Sequence, residues 1–149
     1  MNLMIILIIG LDYVKIGDAN SVNTNSIKDV LFKIEKRATC TMYYVLVFYG
    51  ARDRAHRKNI DFDITLDYLI YLWNKQQGKC ALSGIKMTTI LYDGRIPTNV
   101  SLDRIDTKKG YTMDNIQLVC MACNQMKNDL SIDELYSFCK NIVSVYENN

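Results

Sequence analysis

Three scarcities bound what this chain can be. It has one histidine, one proline and one tryptophan in 149 residues. With His56 as the sole imidazole, general-base work near neutral pH falls to that residue or to another residue type. Cysteine is present five times, an odd number with no secretory signature, which argues against a disulfide framework. No apolar run reaches the roughly 20 residues that a spanning helix needs. The opening MNLMIILIIG is apolar but short, has no positive flank before it and no clear small-residue cleavage site after it, and reads as a buried strand rather than a signal peptide. Internal repeats and long low-complexity tracts are also missing, which excludes a repeat array. The resulting expectation is an intracellular chain that does not engage a membrane.

Apolar residues make up 49% and charged residues 23%, a globular balance in a chain long enough for one proper core. The net charge of +2 says little as a total. Its distribution says more, because residues 36–60 hold Lys36, Arg37, Arg52, Arg54, Arg57 and Lys58 against a single acid, Asp53. Such a cluster reads either as a solvated helix face or as an electrostatic footprint for phosphate.

Along the chain, residues 1–36 read as an irregular leader containing one strand, with the Asn/Ser-rich GDANSVNTNS (17–26) as a loop. TCTMYYVLVFYG (39–50) has β-branched and aromatic content that suits a strand. Its continuity with ARDRAHRKN favours a helix of about 17 residues ending at Asn59. Thr65 is an N-cap with Asp67 in the first turn. Leu66, Leu69, Ile70 and Trp73 then mark a buried stripe, and Gly78 ends that helix. Ser131 and Glu134 form a capping box for a last helix with a buried stripe of Leu135, Phe138, Cys139, Ile142 and Tyr146.

Between these helices, SLDRIDTKKGYTMDNIQLVCMACNQMKNDL (101–130) has the order strand, loop, strand, short helix. Val100 and Leu102 alternate with Ser101 and Asp103; Ile116 and Leu118 alternate with Gln117. This layout can bring Asp103 from a strand end to Asn124 on the helix. Both offer oxygen, the donor that hard cations such as Mg²⁺ take while keeping several waters. Asn115 can hydrogen-bond backbone to shape the loop, and Lys127, one turn after Asn124, can reach a phosphate.

The same residues resemble the ββα-metal core of the HNH endonuclease family. The pattern D-R-x-D, then G-Y-T, then N, then C-x-x-C-N and K is carried by Asp103, Arg104, Asp106, Gly110, Tyr111, Thr112, Asn115, Cys120, Cys123, Asn124 and Lys127. QGKCALSGI (77–85) resembles the knuckle that precedes this core, and ARDRAHRKNIDFDIT (51–65) resembles its basic helix and linker. The resemblance implies DNA phosphodiester cleavage with one Mg²⁺ or Mn²⁺ held by Asp103 and Asn124. Where such enzymes place a histidine base, this chain has Arg104, a residue that stays protonated and suits a phosphate clamp. The base is then His56, Tyr111 or a water activated by the cation. DNA would meet Arg52, Arg54, Arg57, Lys58, Lys108, Lys109 and Lys127, mainly through phosphate. Asp106 is expected as a solvated loop carboxylate.

The family also often carries a structural Zn²⁺ between two C-x-x-C pairs. Cys120 and Cys123 form one pair, but the other reads Cys80-Ala-Leu-Ser83, and neutral serine is a poor zinc ligand. Cys139 or Cys40 could complete a set. The expectation favours three buried, reduced thiols without zinc. The full reading is an α+β chain: a leader over 1–36, then an HNH-like domain over 37–149, built on a two-stranded antiparallel hairpin plus short helix and flanked by helices. It acts on DNA as a monomer or homodimer. Two alternatives stand: an inactive HNH-like module that binds nucleic acid, and a zinc-knuckle protein with no nucleic-acid role.

Overall fold

The computed structural model describes the backbone of residues 6–9, 12–15, 24–91 and 94–148, and within these the side chains from residue 41 onward. The chain divides into two compact units, Met1–Thr41 and Met42–Asn149. In the first, β1 (Ile6–Ile9) pairs antiparallel with β2 (Asp12–Lys15), so the opening strand is one arm of a hairpin. Helix α1 (Thr24–Lys58) is 35 residues long and starts well inside the stretch expected to be irregular. Ile27, Val30, Leu31 and Ile34 follow the i, i+3, i+4, i+7 spacing that favours this outcome. Of the Asn/Ser-rich segment read as a loop, residues 17–23 lie outside the described residues.

The ambiguous 39–50 stretch is helical. Local strand preference yields there to packing: Ala51 and Ala55, at i and i+4, are fully buried, and Tyr43 and Tyr44 are buried beside them in sequence. Tyr43 Oη donates to the Val100 carbonyl at 3.1 Å, and the Tyr44 ring lies 5.6 Å from that of Trp73.

After the two-residue strand β3 (Phe62–Asp63), helix α2 (Leu66–Lys75) begins at Thr65, whose hydroxyl accepts from the Tyr68 N–H at 3.2 Å. Leu69 and Leu72 are its buried residues; Leu72 falls outside the expected stripe, on its flank. Gly78 follows with φ +67°, and a Cβ there would stand 2.9 Å from Trp73 Cζ2. A side chain larger than hydrogen would be both strained and crowded at this turn.

The hairpin comes next. β4 (Val100–Arg104) pairs antiparallel with β6 (Ile116–Cys120), Asp103 opposite Gln117 and Val100 opposite Cys120. Helix α3 (Met121–Lys127) follows β6 directly. Strand, loop, strand, short helix is thus the observed order, and the α+β class holds. The loop inside the hairpin carries one element that pattern reading missed. β5 (Tyr111–Thr112) pairs parallel with β3, and the backbone there is so close that a Cβ on Gly110 would lie 2.5 Å from the Asp61 carbonyl oxygen.

Leu69, Val100, Leu118 and Val119 are fully buried, so the hairpin and α2 share the core. Each such side chain contributes about 1.5–3 kcal/mol over its exposed state. The last helix, α4 (Ile132–Glu147), opens on the expected capping box but has no buried residue. Phe138, Ile142 and Tyr146 are exposed, which corrects the buried stripe expected for them. The helix packs on α3.

Gln76 fastens α2 to the hairpin. Its Nε2 donates to the Leu118 carbonyl at 2.7 Å and its Oε1 accepts from the Leu118 N–H at 3.0 Å. Gln76→Ala would leave the Leu118 N–H unsatisfied, while the Leu118 carbonyl keeps the Ala81 N–H at 3.0 Å, and the expected loss is about 1–3 kcal/mol in urea unfolding. Gln76→Glu, which still accepts from that N–H but cannot donate to the carbonyl, should recover part of it. A change below about 0.5 kcal/mol for the alanine variant would contradict this role.

Candidate metal and phosphate site

Strand alternation places Ser101 and Asp103 on one face of β4. Helix α3 covers that face. Asn124 Nδ2 donates to Ser101 Oγ at 2.7 Å, and Lys127 Nζ donates to Asp103 Oδ1 at 3.0 Å and to the Arg104 carbonyl at 2.8 Å. From the opposite strand, Gln117 Nε2 donates to Asp103 Oδ2 at 2.9 Å. The Asp103–Lys127 pair is internal: the two side chains are 4% and 0% exposed.

Asp103, Asn124, Arg104, Tyr111, Arg54 and Lys58 all line one open cavity of about 330 Å³. All six belong to the expected catalytic and DNA-contact sets, and they come from α1, β4, β5 and α3. The fit to a hard divalent ion rests on the donors. Asn124 spends its amide nitrogen on Ser101, which leaves its carbonyl oxygen as the free donor. Each Asp103 oxygen accepts one hydrogen bond and keeps further lone-pair capacity. Two oxygen donors beside an open cavity suit Mg²⁺, which retains several waters.

Arg104 is held from two sides. Its Nη1 donates to the Lys109 carbonyl at 2.8 Å, and its guanidinium carbon lies 5.4 Å from the Tyr111 ring centroid. Tyr111 is buried, and its ring also packs at 5.6 Å against Phe62. Asn115 closes the loop. Its Nδ2 donates to the Asp106 and Gly110 carbonyls at 3.0 and 2.8 Å, and its Oδ1 accepts from the Asp106 N–H at 2.9 Å. Asp106 itself caps the Lys108 N–H at 2.9 Å, a local turn bond.

Two expectations need correction. Lys127 cannot meet a phosphate, because its side chain is fully buried with its ammonium on Asp103. His56 does not line the cavity with its neighbours Arg54 and Lys58. At 100° per residue, positions 54 and 58 share a helix face, whereas 56 points about 200° away from 54. Arg52, Arg57, Lys108 and Lys109 are exposed outside the cavity lining. Arg52 lies over the Tyr49 ring, and Arg57 pairs with Asp53 at 3.0 Å, a surface bond of small worth.

The Cys80, Cys120 and Cys123 sulfurs lie within 4.8 Å of one another, a group that could hold a metal ion. Cys139 is not part of it, and the side chain of Cys40 lies outside the described residues. Burial pushes the Cys80 thiol up, but hydrogen bonds from the Ser83 hydroxyl and from the Cys120, Ser83 and Leu82 backbone outweigh it and bring it to about 7. Burial also pushes Cys123 up, to about 12; the neighbouring Cys120 and Cys80 sulfurs add to this and the Ser83 hydroxyl works against it. Ser83 thus sits against two of the three sulfurs, in the fourth place of the paired knuckles.

Sequence reasoning missed Ser101 and Gln117, the residues that orient Asn124 and Asp103. Asn115→Ala would remove three bonds from the loop that carries Tyr111. The expected result is a loss of about 2–3 kcal/mol in chemical denaturation, with faster proteolysis between residues 105 and 115. Unchanged stability and unchanged cleavage would contradict the bridging role.

No family model matches the chain. It is similar to a stretch of the uncharacterised protein R423 of Acanthamoeba polyphaga mimivirus, 35% identical over 46 residues, which is 31% of this chain and 9% of that protein. The chain therefore spans less than a tenth of that relative. Among solved structures it resembles PacI, a rare-cutting HNH restriction endonuclease, with a TM-score of 0.52 and 20% identity over 70% of this chain and 80% of that one. The fold around the cavity is accordingly HNH-like.

Proposed function

We propose that the chain is a divalent-metal-dependent DNA endonuclease. The observation that carries this reading is the convergence of Asp103 and Asn124 on one open cavity bordered by Arg54, Lys58 and Arg104. An anionic oxygen donor ringed by cations suits a metal on one side of a phosphodiester and guanidinium or ammonium groups on the other. When bound, Mg²⁺ or Mn²⁺ polarises the phosphoryl group and stabilises the leaving oxygen.

The chain's own residues do the rest. Asp103 and Asn124 supply the cation's protein ligands. Arg104, pre-set by Lys109 and Tyr111, spends one N–H on the loop and turns the others to a phosphate oxygen, where fixed positive charge favours the transition state. The Tyr111 hydroxyl, on a residue of the cavity wall, is the candidate to move the nucleophile's proton. Arg54 and Lys58, with Arg52, Arg57, Lys108 and Lys109 around them, hold the DNA backbone, so binding weakens steeply with salt. One site per chain cuts one strand at a time, and a double-strand cut requires two copies. The short reach of the mimivirus similarity leaves any wider role of a longer relative aside.

Two observations favour a second reading, a module that binds DNA without cutting it. Arg104 stands at the base position, and Lys127 already balances Asp103. Supercoiled plasmid with Mg²⁺ or Mn²⁺ separates the two. The nuclease reading expects nicked circles from the wild type, and at least a hundredfold less from Asn124→Ala, with DNA retention unchanged, and from Asp103→Asn, which keeps an oxygen for Lys127. Salt-sensitive DNA binding with no nicking in either metal would establish the binding module instead.

The cysteine group is proposed as a second, structural metal site for Zn²⁺, with Cys80, Cys120 and Cys123 as thiolate ligands and a water in the fourth place. Elemental analysis should find about one zinc per chain, and a chelator should lower the melting temperature by more than about 5 °C. A metal-free protein whose melting point ignores chelators would mean that the three thiols are ordinary core groups.

A further inference from the structure

The Lys127 side chain has no solvent-exposed surface, so neither DNA nor solvent reaches its Nζ. Its Nζ bonds are internal: Asp103 Oδ1 at 3.0 Å and the Arg104 carbonyl at 2.8 Å. A lysine with no exposed surface is costly unless its charge is balanced. Here the balancing group is the carboxylate that the proposed function assigns to the divalent ion. The Asn124 amide, one helical turn before Lys127, faces the same strand. Any cation bound by Asp103 from the cavity side therefore shares that carboxylate with the Lys127 ammonium, which does not line the cavity.

We propose that Lys127 is a positioning residue that acts as a built-in competitor for the metal: it holds the Asp103 carboxylate in place and keeps the divalent ion weakly bound. This inference rests on Asp103 being a metal ligand. Two opposed effects follow from the same contact. As a hydrogen-bond donor, with Gln117 on the other oxygen, Lys127 fixes the rotation of the carboxylate and lowers the ordering cost of binding. As a charge a few ångströms from the ion, it repels it through a medium of low dielectric. For a doubly charged ion the repulsion outweighs the lost orientation, because Gln117 and the strand backbone still restrain the carboxylate when Lys127 is changed. A lysine that served only to order the site would give the opposite sign.

The test titrates purified full-length protein with Mn²⁺, reading free ion by electron paramagnetic resonance, without DNA and without reference to cleavage. Lys127→Met, which keeps the length and removes the charge, should bind Mn²⁺ at least tenfold more tightly than the wild type. Lys127→Arg should stay close to the wild type, and Gln117→Leu, which removes a donor but no charge, should bind no more tightly. If Lys127→Met is unfolded without metal because Asp103 is left alone, Mn²⁺ should restore its fold, since the ion replaces the missing counter-charge. Affinity in Lys127→Met equal to or below the wild type, or an unfolded variant that Mn²⁺ does not rescue, would overturn the proposal. The underlying reading fails in a different way: Asp103→Ala would then bind Mn²⁺ as the wild type does.

Discussion

A carboxylate and an ammonium, both inside the protein, organise this molecule: Asp103 and Lys127 meet at 3.0 Å with almost no solvent exposure. Neither charge is tolerable alone in that place. The pair therefore demands a hairpin register that puts Asp103 opposite Gln117 and a helix that returns Lys127 over the same strand face. It also couples the core to the cavity. The Lys127 side chain is interior, while Asp103 and its neighbour Arg104 line the opening.

The surroundings make this register rigid. Gln76 pins Leu118 on β6 through both backbone groups, and Tyr43 reaches from α1 to Val100 on β4. Asn115 ties the loop between the strands, and β5 is held against β3 by the close approach at Gly110. Arg104 and Tyr111 inherit their placement from that loop. The cysteine group brings Cys80, before the hairpin, together with Cys120 at the end of β6 and Cys123 on α3.

Much of the 101–130 window was legible because its signals are local. Alternation located both strands, the composition after Cys120 located α3, and Asn115 followed by C-x-x-C-N gave the order of the parts. The direction of Lys127 was not legible. A lysine in the last turn of a short helix reads as surface, and only the crossing of α3 over β4 turns it inward. His56 fails for a similar reason, since sequence proximity to Arg54 and Lys58 is not a shared helix face. The β3–β5 pair joins two-residue strands far apart in sequence, below what periodicity can detect. The apolar pattern of α4 gave its helical form but not its burial, because pattern does not say whether a neighbour exists to cover it.

Both the nuclease reading and the account of Lys127 depend on where a divalent ion sits. Crystals soaked in Mn²⁺ and measured for anomalous scattering test that most directly. The account expects one strong peak in the cavity at about 2.1–2.3 Å from a carboxylate oxygen of Asp103 and the carbonyl oxygen of Asn124, with Lys127 still on Asp103 from behind. No peak there at saturating Mn²⁺, or a peak bound by other residues, would contradict it.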